Sequence, residues 1–83
     1  MTKPVLITGG AGSVGRQLTS MFLELGLSVR IFDLPFMDFE GLEGVKGIEV
    51  VKGDITDRNS VLDAVRGVRS VLHLAALLPP NSE

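Results

Sequence analysis

Eight residues near the start of the chain, Thr8-Gly9-Gly10-Ala11-Gly12-Ser13-Val14-Gly15, constrain its fold more than any other stretch. Glycines so dense raise the entropy lost on folding, and they persist where a tight turn, close packing or a ligand demands them. Before the glycines lies Val5-Leu-Ile-Thr8, a short run of mainly β-branched and aliphatic residues suited to a strand buried in a parallel sheet. After them, Val14, Leu18, Met21, Phe22 and Leu25 recur at helical spacing. That periodicity predicts a helix over 13–25 with these five residues turned inward. Gly26 then stands where a helix C-terminus favours a left-handed residue.

The same alternation continues. Strands are expected at 28–33, 48–52 and 70–74, and a second helix opens after Thr56 or Asp57, either of which can cap it. Val61, Leu62 and Val65 are expected to face inward, and Gly67 ends that helix. Between Leu34 and Gly47, Pro35 and the glycines predict a loop with a short helical turn, its apolar residues Phe36, Met37, Phe39 and Leu42 tucked against the sheet. A β-α-β-β-α-β order of this kind predicts an α/β fold, a Rossmann-type parallel sheet with flanking helices and strand order 3-2-1-4, truncated after the fourth strand.

A glycine loop between a strand and a helix can carry a dinucleotide. Gly9 and Gly10 permit a tight turn at positive φ. Gly12 lets the backbone approach a pyrophosphate, and Gly15 lets the helix pack on the strand. Free N–H groups at the helix start stabilise the phosphate charge. Ser13 can donate its hydroxyl to the pyrophosphate or serve as the helix N-cap. The plainer reading, a glycine turn that binds nothing, leaves the glycine density unexplained. A P-loop is excluded because no Lys-Ser/Thr pair follows the last glycine.

Asp33 is expected to end the second strand, where its carboxylate can accept hydrogen bonds from both hydroxyls of an adenosine ribose. Its charge repels a 2′-phosphate, and Leu34-Pro35-Phe36 supplies no arginine to bind one. The cofactor read from these residues is NAD, with NADP less favoured. Arg16 could reach a phosphate, although an arginine there more often faces solvent.

Composition limits the rest. The 83 residues allow a single domain, and 45% apolar content is too high for a disordered segment. The net charge of −2 and the scattered basic residues give no footprint for nucleic acid or an anionic membrane surface. With no cysteine, neither a disulfide framework nor a thiolate metal site can form. The first apolar run is too short for a signal peptide or a membrane span, so a cytoplasmic location is expected.

At four motifs the chain resembles the extended short-chain dehydrogenases/reductases of the NAD-dependent epimerase/dehydratase group. These are Thr8 to Gly15, Asp33-Leu34, Gly53-Asp54-Ile55-Thr-Asp57 and Val71-Leu-His-Leu-Ala-Ala76. The resemblance implies that Asp54 accepts from the adenine amino group and that Ile55 packs on the ring. It implies too that the backbone of Leu74, Ala75 and Ala76 runs beside the cofactor. The plainer role for Asp54 is a turn residue ahead of the second helix. His73, the lone histidine, matches a position that is usually structural in the family. The cofactor-binding set expected is thus Gly9, Gly12, Ser13, Val14, Gly15, Asp33, Leu34, Asp54, Ile55, Leu74, Ala75 and Ala76.

Enzymes of this family move protons with a Tyr-x-x-x-Lys pair, and these residues contain no tyrosine. The leading expectation is therefore residues 1–83 as the N-terminal cofactor part of an epimerase, dehydratase or dehydrogenase. Its small-molecule substrate would carry a hydroxyl, a nucleotide sugar for instance, and the full-length enzyme could pair as a homodimer. The alternative is a non-catalytic NAD(P) sensor. A Rossmann domain for FAD or S-adenosylmethionine is a third option, since the same loop and acid serve any of them in outline.

Overall fold

The computed structural model describes residues 3–74. Strand β1 (Val5–Thr8) runs into helix α1 (Ser13–Glu24), followed by β2 (Val29–Asp33), β3 (Ile48–Lys52), α2 (Arg58–Val65) and β4 (Ser70–His73). The four strands form one sheet in the order β3-β2-β1-β4. All three pairings are parallel, with Val5 opposite Val29 and Ser70, and Val29 opposite Ile48. The expected Rossmann-type α/β architecture is the one observed.

The period-2 alternation of strands explains the two-sided core. Val5, Ile7, Val29 and Ile31 point to one face, where Leu18, Phe22 and Leu23 of α1 pack against them. Leu6 and Phe32 point to the other, against Ala64 and Val65 of α2. Covered on both faces, β1 is buried along its whole length, which is why it reads as an unbroken apolar run. The edge strand β4 is exposed at three of its four residues.

Two helices are rotated from the faces their periodicity predicts. In α1, Val14, Met21 and Leu25 are 55%, 56% and 72% exposed, while Gly15 and Thr19 are buried. The inward centre lies about 100° away, one residue's step around the helix. The cause is Gly15, whose lack of a side chain draws that side of the helix onto the backbone of Gly10. In α2, Leu62 is half exposed and the small Ala64 faces the sheet instead. Asp57 is the N-cap, accepting from the Asn59 N–H at 3.1 Å. Thr56 is unavailable for that task because its N–H and hydroxyl both donate to Asp54.

The β2–β3 connection makes its single helical turn at Phe39, whose carbonyl accepts from Leu42 and Glu43. Phe39 and Leu42 are buried in the core and Met37 packs on it, as expected. Phe36 does not: it is 79% exposed, at the third position of a turn closed by Met37 N–H on Leu34 O.

Helix α2 has no basic residue in its last turn. Arg30 of β2 supplies the missing cation, donating through Nη1 to the carbonyls of Ala64 at 2.8 Å and Arg66 at 2.6 Å. Its Nε pairs with Glu49 at 2.9 Å, and the Arg30 side chain is only 13% exposed. Carbonyls at a helix end carry partial negative charge, so a buried guanidinium there stabilises the α2–sheet contact. Arg30→Met should therefore cost about 2–3 kcal/mol in denaturant unfolding, whereas Glu49→Gln, at an exposed partner, should cost less than about 1 kcal/mol. Equal and small losses would remove the capping role.

Candidate functional site

The glycine loop sits over the C-terminal ends of β1 and β2, where the sheet hands the chain to α1. Gly9 takes φ of 74°, a left-handed conformation that glycine adopts without strain, and its N–H bonds to Phe32 O at 2.8 Å. Gly10 does not have the positive φ expected of it. A Cβ there would lie 2.7 Å from Ile31 Cγ2 and 3.0 Å from Ile7 O, so packing against β2 is what excludes a side chain. At Gly15 a Cβ would come within 2.6 Å of the Gly10 backbone. The helix therefore backs onto the loop itself rather than onto the strand.

Gly12 differs from these. Its φ of −78° and ψ of 177° suit any residue, and a Cβ would meet only Gly9 O, at an ordinary 3.6 Å. Neither backbone strain nor packing requires glycine at this position. Gly12 is also the N-cap of α1, with no side chain to cap the helix and no acidic residue in its first turn. Ser13 is the first helical residue and is exposed, so the capping role open to it in the sequence falls to Gly12. The first-turn N–H groups thus lack a protein anion, beside a backbone that leaves room for a ligand.

Asp33 closes β2 beside this loop. Its Oδ2 accepts from Ala11 N–H at 2.9 Å and its Oδ1 from Leu34 N–H at 2.9 Å. Each carboxylate oxygen retains a second lone pair, enough to accept one ribose hydroxyl apiece. The Ala11 contact could not be read from residue types, since its backbone and not its side chain makes it.

Arg16 is half-buried and bound to the protein's own backbone. Its guanidinium donates to the carbonyls of Ala11, Glu40 and Asp38.

On the far side of β2, Gly53 N–H bonds to Asp33 O at 2.9 Å and brings the Asp54 turn to the same sheet edge. Asp54 Oδ1 accepts from Thr56 N–H at 2.9 Å and from its hydroxyl at 2.8 Å. That backbone N–H first, and the hydroxyl second, hold the Asp54 carboxyl below its ordinary pKa, so it is a carboxylate at neutral pH. The turn role is thus real, and Oδ2 is left without a partner among the described residues. Ile55 packs on the Leu6, Phe32 and Ala64 cluster and stays partly exposed.

His73 pairs with Thr8 across the β1–β4 ladder, Nδ1 lying 2.7 Å from the Thr8 hydroxyl. This is a structural contact, although His73 is exposed rather than in the core. Leu74 follows β4, its N–H bonding to Thr8 O at 3.0 Å, while Ala75 and Ala76 lie outside the described residues. Among the described residues, no helix is long and apolar enough to cross a membrane.

The model of the 3-beta hydroxysteroid dehydrogenase/isomerase family matches residues 6–83. A 3 beta-hydroxysteroid dehydrogenase/Delta 5-->4-isomerase of Mycobacterium tuberculosis is 41% identical over 75 residues, covering 89% of this chain and 19% of that protein. A short-chain dehydrogenase/reductase superfamily protein from Agrobacterium tumefaciens, solved with bound NAD, superposes at a TM-score of 0.72 with 37% identity, over 94% of this chain and 22% of that one. The Bordetella bronchiseptica enzyme WbmG, solved with NAD and UDP, superposes at 0.78 with 30% identity, over 99% of this chain and 28% of that one. The chain spans between about a fifth and under a third of the length of the curated relatives it matches.

Proposed function

The chain belongs to the 3-beta hydroxysteroid dehydrogenase/isomerase family, and from that premise we propose that it forms the NAD-holding part of an enzyme acting at a hydroxyl-bearing carbon. One observation carries the reading: Gly12 is a glycine that the fold itself does not need, placed at an uncapped helix start beside a carboxylate. A bound pyrophosphate supplies the missing reason. When present, NAD takes up or returns the hydride of the substrate carbon.

The loop from Gly9 to Gly15 holds the pyrophosphate, through the N–H groups of Ser13, Val14 and Gly15. Asp33 and Leu34 hold the adenosine ribose. Asp54 Oδ2 faces the adenine amino group, Ile55 packs on the ring, and the backbone of Leu74 runs beside the cofactor. NAD-bound neighbours support this cofactor over NADP, as does the Asp33 charge. The hydroxysteroid family match and the UDP-bound neighbour support a sterol or a nucleotide sugar as the alcohol. The test is to incubate the full-length protein with NAD and both alcohol classes and follow both NADH and the organic product, since an epimerase or dehydratase returns the hydride and leaves no net NADH. Turnover of either supports an enzyme. Saturable NAD binding with turnover of neither class favours the non-catalytic sensor, a reading that rests on the lack of tyrosine in these residues.

Asp33→Ala should weaken NAD binding about tenfold to a hundredfold, the worth of one or two hydrogen bonds to a charged group. It should leave NADP less affected, since a repulsion disappears together with the contact. Calorimetric titration of both nucleotides checks this, and equal losses would contradict the ribose role.

A further inference from the structure

Arg16 lies near the start of α1, where a cation opposes the helix dipole. It makes no ion pair among the described residues. Instead its fork is shared between three backbone carbonyls: Nε to Ala11 at 3.0 Å, Nη1 to Glu40 at 2.8 Å and Nη2 to Asp38 at 2.6 Å. The acceptor turn is itself shaped for this, since Asp38 Oδ1 takes the Glu40 N–H at 2.9 Å. Ala11 is common to two contacts. Its carbonyl holds Arg16 and its N–H holds Asp33 Oδ2. The glycine loop, the β2–β3 connection and the carboxylate at the end of β2 are thereby joined through one guanidinium.

We propose that Arg16 is a positioning residue for the adenosine end of the cofactor site, strapping the β2–β3 connection to the glycine loop and fixing Ala11 against Asp33. This rests on the NAD reading above. Only a planar fork serves three acceptors in this way, so lysine is not an equivalent.

The test titrates NAD, ADP-ribose and nicotinamide mononucleotide into the full-length protein, its Arg16→Gln variant and its Arg16→Lys variant. Loss of one charge-assisted contact corresponds to about tenfold in an equilibrium. The expected result is a rise of about tenfold or more in Kd for NAD and ADP-ribose in both variants, with nicotinamide mononucleotide within about twofold of wild type. Unchanged affinity for ADP-ribose in either variant overturns the proposal, as does an equal loss for all three ligands. If Arg16→Gln does not fold, Arg16→Lys decides, and wild-type affinity of that variant for ADP-ribose is contrary. Wild-type protein that binds neither NAD nor ADP-ribose defeats the cofactor reading itself, and the proposal with it.

Discussion

Gly12→Val should raise the dissociation constant for NAD by about a hundredfold, the loss of two charge-assisted bonds to the pyrophosphate, while costing less than about 1 kcal/mol of stability. The separation of the two effects is the informative part. A Cβ at Gly12 would meet only Gly9 O, at 3.6 Å, and the backbone angles lie in the extended region open to valine. What valine fills is the approach to the uncapped first turn of α1. Calorimetry with NAD and a denaturant melt on the same sample give both numbers. Retained affinity would mean that the pyrophosphate does not pass over this residue.

Gly15→Ala should behave in the opposite sense and lower stability by about 3 kcal/mol or more. Helix propensity alone predicts a gain of about 1 kcal/mol from this substitution. Packing predicts the loss, because the new Cβ would sit 2.6 Å from both Cα and O of Gly10, backbone atoms held in turn by β1 and β2. The sign of the change in a denaturant melt decides which effect wins. A stabilised protein would show that α1 does not seat on the glycine loop as described.

These two glycines also show how far the sequence could be read. Their pattern announced a strand–loop–helix, and β1 and β3 have the limits that their β-branched and aliphatic runs suggested. The face of α1 was legible only in part from the apolar spacing, since Leu18 and Phe22 pack on the core as expected. Val14, Met21 and Leu25 share a stripe at helical period, but the smallest residue, not the largest, selects which side meets the sheet. Phe36 and Phe39 look alike in sequence, yet only Phe39 is buried; Lys52 Nζ, 5.0 Å from its ring centroid, also pairs with Glu43. The choice between Thr56 and Asp57 as cap depended on Asp54 having already taken Thr56. Arg16 was hardest to anticipate. Its acceptors are carbonyls 22 and 24 residues away, and a carbonyl carries no side-chain signature.

The charges at the site were more legible than its packing. Asp33 stands where the sequence put it, at the end of β2, and the structure adds the Ala11 and Leu34 N–H groups that orient its carboxylate. Asp54 has the turn role that its plainer reading assigned it. One oxygen makes the turn, and the other is available to a ligand at the same sheet edge.

The central claim, that this loop and this carboxylate hold NAD, is tested most directly by titrating NAD and NADP into the full-length wild-type protein. Saturable one-site binding of NAD in the micromolar range is expected, with NADP weaker by about tenfold or more because of the charge on Asp33. No saturable binding of NAD, or tighter binding of NADP, would contradict it.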